Sequence, residues 1–186
     1  FGDLDVSIID DLPAGRKPIT TRWDKQEHLT PQILPWNADE VTKGAQVYFI
    51  SPLIEESEAL DLKNATELFM ELQEFFGLTA NVALLHGKMK NAEKDQVMTD
   101  FKAQKYDVLV STTVIEVGVN VPNATIMVII DADRFGLSQL HQLRGRVGRG
   151  EKKSYTILVA NPKSETGKRR MQIMTETQNG FVLAEE

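Results

Sequence analysis

The sequence contains no cysteine and only three histidines. Without thiols the chain forms no disulfide bond and offers no thiolate ligand to a metal ion. His28, His86 and His141 stand far apart and lack the spacing of a zinc site. We therefore expect no metal ligands in this chain, and a cysteine-free composition fits a reducing, cytoplasmic setting.

Long hydrophobic runs are also missing. The longest apolar stretches, VYFI at 47–50 and TIMVII at 125–130, are far shorter than the roughly 20 residues that a transmembrane helix needs. No charged leader precedes an apolar segment at the start of the sequence. The sequence predicts a soluble, unexported protein with no membrane partner.

Positive charge is in deficit, with 21 lysines and arginines against 27 acidic residues and a net charge of -6. Such a protein does not bind nucleic acid through its overall field, so an anion site must be local. The 186 residues suffice for one core. Because the sequence starts at Phe1 and closes on VLAEE, we expect it to be a piece of a longer protein.

Short apolar segments alternate with amphipathic ones from residue 46 onward. QVYFIS, NVALLHG, YDVLVST, ATIMVIIDAD and SYTILVA have the pattern of buried strands, and helical spacing separates them. This alternation predicts an α/β fold in which helices cover both faces of a five-stranded parallel sheet. Residues 1–22 show no sustained period and are predicted to be a connecting segment. Pro31 and Pro35 argue against one long helix over 23–45.

The segment QLHQLRGRVGRG, at 139–150, follows the fourth predicted strand and concentrates positive charge. Arg146 and Arg149 are three residues apart and project from the same face of a helical turn, while Gly145 and Gly148 leave room for a close neighbour. Paired guanidiniums suit the charge that develops during phosphoryl transfer. A solvated basic helix end and a structural ion-pair cluster are the alternatives.

Four motifs resemble those of superfamily 2 helicases. QLRGRVGR at 142–149 matches their sixth motif, Q-x-x-G-R-x-G-R, and STTVIEVGVNVPNA at 111–124 is similar to their fifth. YFISPLIEESE and LLHGKM resemble the fourth motif and the segment after it, in the same order. The resemblance implies a RecA-like three-layer sandwich with a mostly parallel sheet, followed by the start of a helical hairpin.

Within the superfamily, FGDLDVSIIDDLPAGRKPI and RFGLSQLHQLRGRVGRG resemble bacterial helicases that remodel branched DNA and stalled replication forks in recombination and repair. That resemblance implies a linker from a missing first motor lobe at 1–22, a C-terminal RecA-like domain at 23–160 and an incomplete translocation hairpin at 161–186. The equivalent lobe of a transcription-repair coupling translocase and a non-catalytic RecA-like interaction module remain open. The resemblance also implies a bacterial, nucleoid-associated protein.

No G-x-x-x-x-G-K-[ST] loop and no acidic D-E-x-x box occur in the sequence. The family carries both on its first lobe, so the resemblance implies that ATP and Mg²⁺ are bound mainly there and that this piece alone is inactive. Arg146 and Arg149 would reach the γ-phosphate, and Gln142 would order that network. The further nucleotide-binding residues implied are Glu116, Gly118, Asn120 and Gly145. Many relatives have Asp at the position of Asn120, which leaves a ribose contact there open.

The resemblance also implies contacts to the DNA backbone from His86, Gly87, Lys88, Thr112 and Thr113. The implied partners are branched or forked double-stranded DNA, the first lobe and a wedge domain in cis, and single-stranded DNA-binding protein. Other charged residues receive structural interpretations. Arg144 lies off the face of the arginine pair and is predicted to be structural or coupling; Asp131 and Asp133 are read as strand-end partners for basic groups, and Lys168, Arg169 and Arg170 as a solvated face.

Overall fold

The fold is an open parallel sheet of six strands. A computed structural model describes residues 19–53, 57–112, 121–148 and 152–177. The strands run in the order β1-β6-β5-β2-β4-β3, and every neighbouring pair is parallel. Their bounds are β1 Ile19–Asp24, β2 Gln46–Ser51, β3 Val82–Leu85, β4 Val108–Thr112, β5 Ala124–Ile130 and β6 Ser154–Val159. The α/β prediction is confirmed.

The sequence pattern predicted five strands, and β1 is the additional one. Its first four residues belong to the segment 1–22 that was predicted to be a connector. β1 pairs with β6 from Ile19↔Ser154 to Asp24↔Val159. In β1 buried positions alternate with exposed or half-buried ones, whereas all six residues of β2 are buried. An edge strand that carries Arg22 and Asp24 has no continuous apolar run, so its hydrophobic pattern does not predict a strand.

Helices cover both faces of the sheet and make the predicted three layers. Their bounds are α1 Leu34–Thr42, α2 Glu58–Phe76, α3 Asn91–Lys102, α4 Leu137–Arg144 and α5 Glu165–Glu176. α1 and α2 share one apolar core with residues such as Phe49 and Val128. α3, α4 and α5 share the other core, on the opposite side of the same strands, with Tyr48 and Met127. Alternate side chains of a strand point to opposite faces, so β2 and β5 contribute to both cores.

The segment between β1 and α1 is not one helix, as its prolines predicted. A 3-10 turn at Gln26–His28 leads into a π-helical turn at Leu29–Ile33, and α1 follows directly. Pro35 lies in the first turn of α1, where a missing N–H costs nothing.

α5 confirms the helix predicted after the last strand. Ser164 caps it, because its side chain accepts a hydrogen bond from the backbone N–H of Gly167 at 3.0 Å. Met171 and Met174 are buried against the core, which fixes α5 on the sheet. The turn predicted at Asn179-Gly180, and the helix predicted after β4, lie outside the described residues.

Candidate functional site

The carboxyl ends of β3 and β4 bring two of the predicted DNA-contacting stretches together. β4 pairs with β3 in the register Leu85↔Ser111, so His86 and Thr112 follow at adjacent positions. In parallel α/β sheets ligands collect at this edge. Thr113, Glu116, Gly118 and Asn120 belong to the stretch that follows β4 and lie outside the described residues.

His86, Gly87 and Lys88 form an exposed turn after β3. The backbone N–H of Lys88 donates to Nδ1 of His86 at 3.2 Å, which orients the ring. Burial lowers the pKa of the His86 imidazole, and the ammonium groups of Lys94 and Lys88 lower it further, while Glu93 opposes them. Gly87 has no atom within 4 Å of the position a Cβ would take, so the turn is open to an approaching ligand.

Thr112 differs from its neighbours at this edge. It has only 4% of its surface exposed. A hydroxyl at that depth does not face a DNA duplex directly. Thr112 is the last residue of β4, and it therefore positions the segment that follows rather than presenting its own hydroxyl to DNA.

The arginine segment follows β5, the fourth of the strands predicted from the sequence. α4 forms its first part, since it runs over Leu137–Arg144, and Gly145 is the C-cap of this helix. The position of the arginines beyond the strand ends stays a prediction.

Arg146 and Gln142 present side chains to the surface. Gln142 is exposed, and Arg146 is half-buried, with its backbone N–H bonded to the carbonyl oxygen of Leu143 at 3.0 Å. The guanidinium of Arg146 makes no hydrogen bond or ion pair with another described residue. Arg149 lies outside the described residues. The part of the segment that the structure describes thus carries one guanidinium that is available to a ligand.

Gly145 and Gly148 differ in whether their backbone conformation requires glycine. Gly148 has φ +76°, in the left-handed region that favours glycine, and it makes the turn that ends the segment. Gly145 has φ -67°, and a Cβ there would meet ordinary contacts at 3.4 and 3.5 Å. The backbone conformation therefore does not require glycine at position 145. The missing side chain leaves room there for a neighbouring group.

Arg144 is a buried guanidinium with no carboxylate partner among the described residues. Only 1% of its surface is exposed. Nη1 donates to Thr21 Oγ1 at 3.0 Å, to the carbonyl oxygen of Met174 at 3.1 Å and to that of Thr177, while Nη2 contacts Thr177 Oγ1 and His141 Nδ1. Burial lowers the pKa of Arg144 to about 10, so it stays charged at neutral pH. Its burial agrees with the structural role predicted for it.

His141 is held neutral beside that guanidinium. Burial, together with the charge of Arg144, lowers the pKa of His141 to about 4. Because an arginine only donates, His141 Nδ1 accepts the 3.0 Å hydrogen bond from Nη2, and the proton resides on Nε2. Nε2 is buried without a partner among the described residues.

Arg170 is not part of a solvated face, as its sequence context suggested. It is half-buried, and Nη1 donates to the carbonyl oxygens of Asp133 at 2.9 Å and Phe135 at 2.7 Å, in the connection before α4. Arg170 falls three residues after the buried Gly167 and one before Met171, so helical spacing already placed it toward the core. Arg144 thus joins α4 to α5, and Arg170 joins α5 to the connection before α4.

A cleft of about 300 Å³ opens between the ends of β2 and β5. Three carboxylates, from Glu67, Glu71 and Asp131, share its lining with the guanidinium of Arg134. Burial raises the pKa of Asp131, while Arg134 opposes that rise and Asp133 adds to it. Arg134 is therefore the basic group that acts on Asp131, as the sequence interpretation expected of this strand end.

The described ranges contain no group of three or more histidine or acidic side chains that could hold a metal ion. Nor does any helix within them have the length and apolarity required to cross a membrane. Among the described residues, the guanidinium of Arg146 and the turn after β3 are the candidates for a phosphate ligand.

Comparison with known proteins gives concordant results. Residues 24–151 match the family model described as helicase conserved C-terminal domain. The whole chain is 73% identical to the ATP-dependent DNA helicase RecG of Streptococcus pneumoniae and 60% identical to that of Bacillus subtilis. It spans only 28% and 27% of the length of these two relatives.

Solved structures agree with this result. A structure of RecG bound to a three-way DNA junction matches 94% of this chain and 22% of its own, with a TM-score of 0.78 and 39% sequence identity. Dbp5 of S. cerevisiae, bound to RNA and ADP BeF3, matches 95% of this chain and 46% of its own, with a TM-score of 0.62 at 16% identity. The second likeness concerns the fold alone, and the predicted RecA-like helicase fold is confirmed.

Proposed function

The chain belongs to the helicase conserved C-terminal domain family, and we propose that it is the second motor lobe of an ATP-dependent DNA helicase that remodels branched DNA and stalled replication forks. The 39% identity to RecG in complex with a three-way junction, over nearly the whole chain, supports this proposal. The bacterial relatives named RecG support a role in recombination and repair, in the nucleoid-associated cytoplasm of a bacterium.

ATP is proposed to bind between this lobe and a first lobe elsewhere in the protein. The guanidinium of Arg146 carries this part of the proposal, because it bonds no described residue although Arg144, two residues earlier, makes five polar contacts within the fold. A guanidinium without a partner among the described residues is available for phosphate oxygens. Arg146 and Arg149 would stabilise charge on the γ-phosphate, and Gln142 and Gly145 would flank them.

The remaining parts of the nucleotide site are assigned by the family resemblance. Glu116, Gly118 and Asn120 would complete the face of this lobe. Mg²⁺ would be held by carboxylates of the first lobe, which also carries the phosphate-binding loop. ATP supplies the phosphoryl group whose transfer to water drives the motor, and this chain alone would not hydrolyse it.

DNA is proposed to lie along the carboxyl edge near β3 and β4. His86, Gly87 and Lys88 form a turn there that carries the positive charge of Lys88. Thr112, at the end of the neighbouring strand, would position Thr113 for a backbone contact. Contacts of this kind bind the phosphate backbone without reading sequence. A separate wedge domain would recognise the branch, and single-stranded DNA-binding protein is a further proposed partner.

Movement is proposed to pass from the arginine segment to residues 161–186. α5 would be the first helix of a translocation hairpin. A hydrogen bond of Arg144 ties it to α4, and one of Arg170 ties it to the connection before α4. Opening and closing of the two lobes would then displace α4 and α5 as one unit.

The test uses the full-length protein with Arg146→Ala or Arg149→Ala, assayed for ATP hydrolysis on forked and linear duplex DNA. An arginine finger contributes about 10³-fold or more to turnover, so each variant should lose that much while it still binds ATP. Arg22→Ala, an exposed arginine on the edge strand, is the matched control and should retain turnover. Unchanged turnover in both finger variants would contradict the proposal, and tight fork binding without a first lobe would favour a non-catalytic module.

A further inference from the structure

Lys94, on the first turn of α3, is a cation that forms no ion pair with another described residue. It lies three, four and seven residues before Val97, Met98 and Phe101, all of which pack into the core. Residues at this spacing share one face of a helix, so Lys94 projects from the face that α3 turns toward the sheet. Its side chain is half-buried there.

Lys94 has no acidic partner among the described residues. The lysines that do form ion pairs are Lys43 with Glu40, Lys105 with Asp100 and Lys168 with Glu165. Burial of part of an ammonium group costs free energy that an opposite charge normally offsets. For Lys94 the described part of the fold provides no such charge.

The acids on α3 are engaged or directed elsewhere. The Glu93 carboxylate accepts from the backbone N–H of Lys90 at 3.0 Å, at the start of the helix. Asp100 accepts from Gln96 Nε2 at 2.9 Å and pairs with Lys105. Asp95 is exposed and has no ion pair with a described residue. None of the three offsets the charge of Lys94.

Lys94 lies next to the turn that is proposed to hold DNA. α3 begins at Asn91, three residues after Lys88, and Lys94 lies on the first turn of this helix. The ammonium groups of Lys94 and Lys88 also lower the pKa of the His86 imidazole. His86 in turn follows β3 beside the end of β4. Two ammonium groups therefore flank one histidine at the carboxyl edge, in a chain with a net charge of -6.

We propose that Lys94 is a further phosphate-binding residue, which extends the DNA backbone contact from Lys88 across His86 onto α3. This inference rests on the proposed function, since it takes the polyanion at this edge to be DNA. Lys94 contributes a point charge to the phosphate contact and no sequence preference.

The experiment is a salt titration of DNA binding by the full-length protein. Affinity for a labelled three-way junction and for linear duplex is measured by fluorescence anisotropy between about 50 and about 200 mM salt. Each phosphate contact adds about 0.9 to the slope of log K against log salt, so Lys94→Gln should lower the slope by about that amount on both DNAs. Lys88→Gln should do the same.

Lys102→Gln is the matched control. Lys102 is exposed in the last turn of the same helix, eight residues and therefore about 12 Å from Lys94. Lysine and glutamine have similar helix propensity, so both substitutions leave α3 intact. The control should keep the wild-type slope.

An unchanged slope for Lys94→Gln overturns the inference. A lowered melting temperature with an unchanged slope also overturns it, because Lys94 would then pair with an acid of its own chain. Failure of the proposed motor is a separate outcome. If Arg146→Ala and Arg149→Ala keep full turnover while Lys94→Gln loses slope, the motor proposal fails and the DNA contact stands.

Discussion

Arg144 and Thr21 are 123 residues apart in sequence, and Nη1 of the arginine donates to the threonine hydroxyl at 3.0 Å in the buried interior. The same nitrogen bonds the carbonyl oxygens of Met174 and Thr177 at the end of α5. One side chain of the arginine segment therefore fixes α4 relative to both the edge strand and the last helix. The half-buried Arg146, two residues later, takes its position from this attachment.

Arg144→Lys should lower the free energy of unfolding by about 3 kcal/mol. A lysine ammonium cannot replace a planar guanidinium that serves acceptors on β1 and α5, and some of these acceptors are then buried without a donor. Urea unfolding of the chain, followed by far-UV circular dichroism, measures the loss. Arg169→Lys, on the exposed side of α5, is the control and should lie within about 0.5 kcal/mol of wild type. Equal stabilities for both variants would contradict the structural role of Arg144.

Acid should destabilise the fold through His141. In the unfolded chain its pKa is near 6.5, and in the folded chain it is about 4. Between these values the unfolded state binds the proton and the folded state does not, so the free energy of unfolding falls as the pH decreases from about 6.5 to about 4. Above pH 6.5 this group contributes no pH dependence.

The measurement for His141 is the free energy of unfolding from urea titrations at a series of pH values across that window. His141→Asn removes the titrating group, and its curve should be flatter than that of wild type over the same range. Identical pH dependence in the two proteins would show that other groups dominate and that the prediction is wrong.

Gly167→Ala should destabilise the packing of α5 although alanine favours helices. A Cβ at 167 would lie 3.1 Å from Pro162 Cβ and 3.2 Å from Ser164 Oγ, the atom that caps the helix. The proline ring is rigid and the Ser164 hydroxyl already accepts the capping hydrogen bond, so neither can move away easily. We therefore expect the free energy of unfolding to fall by about 1–2 kcal/mol. The melting temperature of the variant, measured by thermal unfolding, should be lower than that of wild type. Gly87→Ala, where a Cβ meets nothing within 4 Å, should leave the melting temperature unchanged.

Ser57→Ala should cost about 1 kcal/mol by removing the N-cap of α2. The Ser57 side chain accepts from the backbone N–H of Leu60 at 3.1 Å, and alanine leaves that donor to water. Ser57→Asn keeps an acceptor and should retain most of the stability, as urea unfolding of both variants would establish. A loss of the same size in the asparagine variant would point to a role other than capping.

The central strands and the helices between them could be predicted from the sequence, because their apolar residues are continuous or follow helical spacing. QVYFIS and ATIMVII correspond to buried strands β2 and β5, and the helix predicted from NAEKDQVMTDFKAQ starts at Asn91 as α3. β1 was not readable. Its side chains alternate at an edge, and charged residues in such a strand resemble those of a loop.

Among the candidate site residues, sequence motifs selected the arginine segment and the turn after β3, because these residue types suit phosphate wherever they lie. Motifs did not reveal that the partners of Arg144 lie on β1 and at the end of α5, nor that Arg170 reaches the connection before α4. Lys94 was missed as well, since its isolation from acids depends on which way α3 faces.

The sequence by itself determined the α/β alternation, the local concentration of positive charge in an acidic chain and the family motifs, since each depends on residues close together in the chain. Only the tertiary structure decided which charged groups are free. Arg144 and Arg146 are two residues apart and chemically identical, yet Arg144 bonds Thr21, Met174 and Thr177 while Arg146 bonds no described residue through its guanidinium. That difference arises from contacts between segments that are 30 to 123 residues apart in sequence. Burial makes an unpaired polar group costly there, so each buried donor is matched with an acceptor.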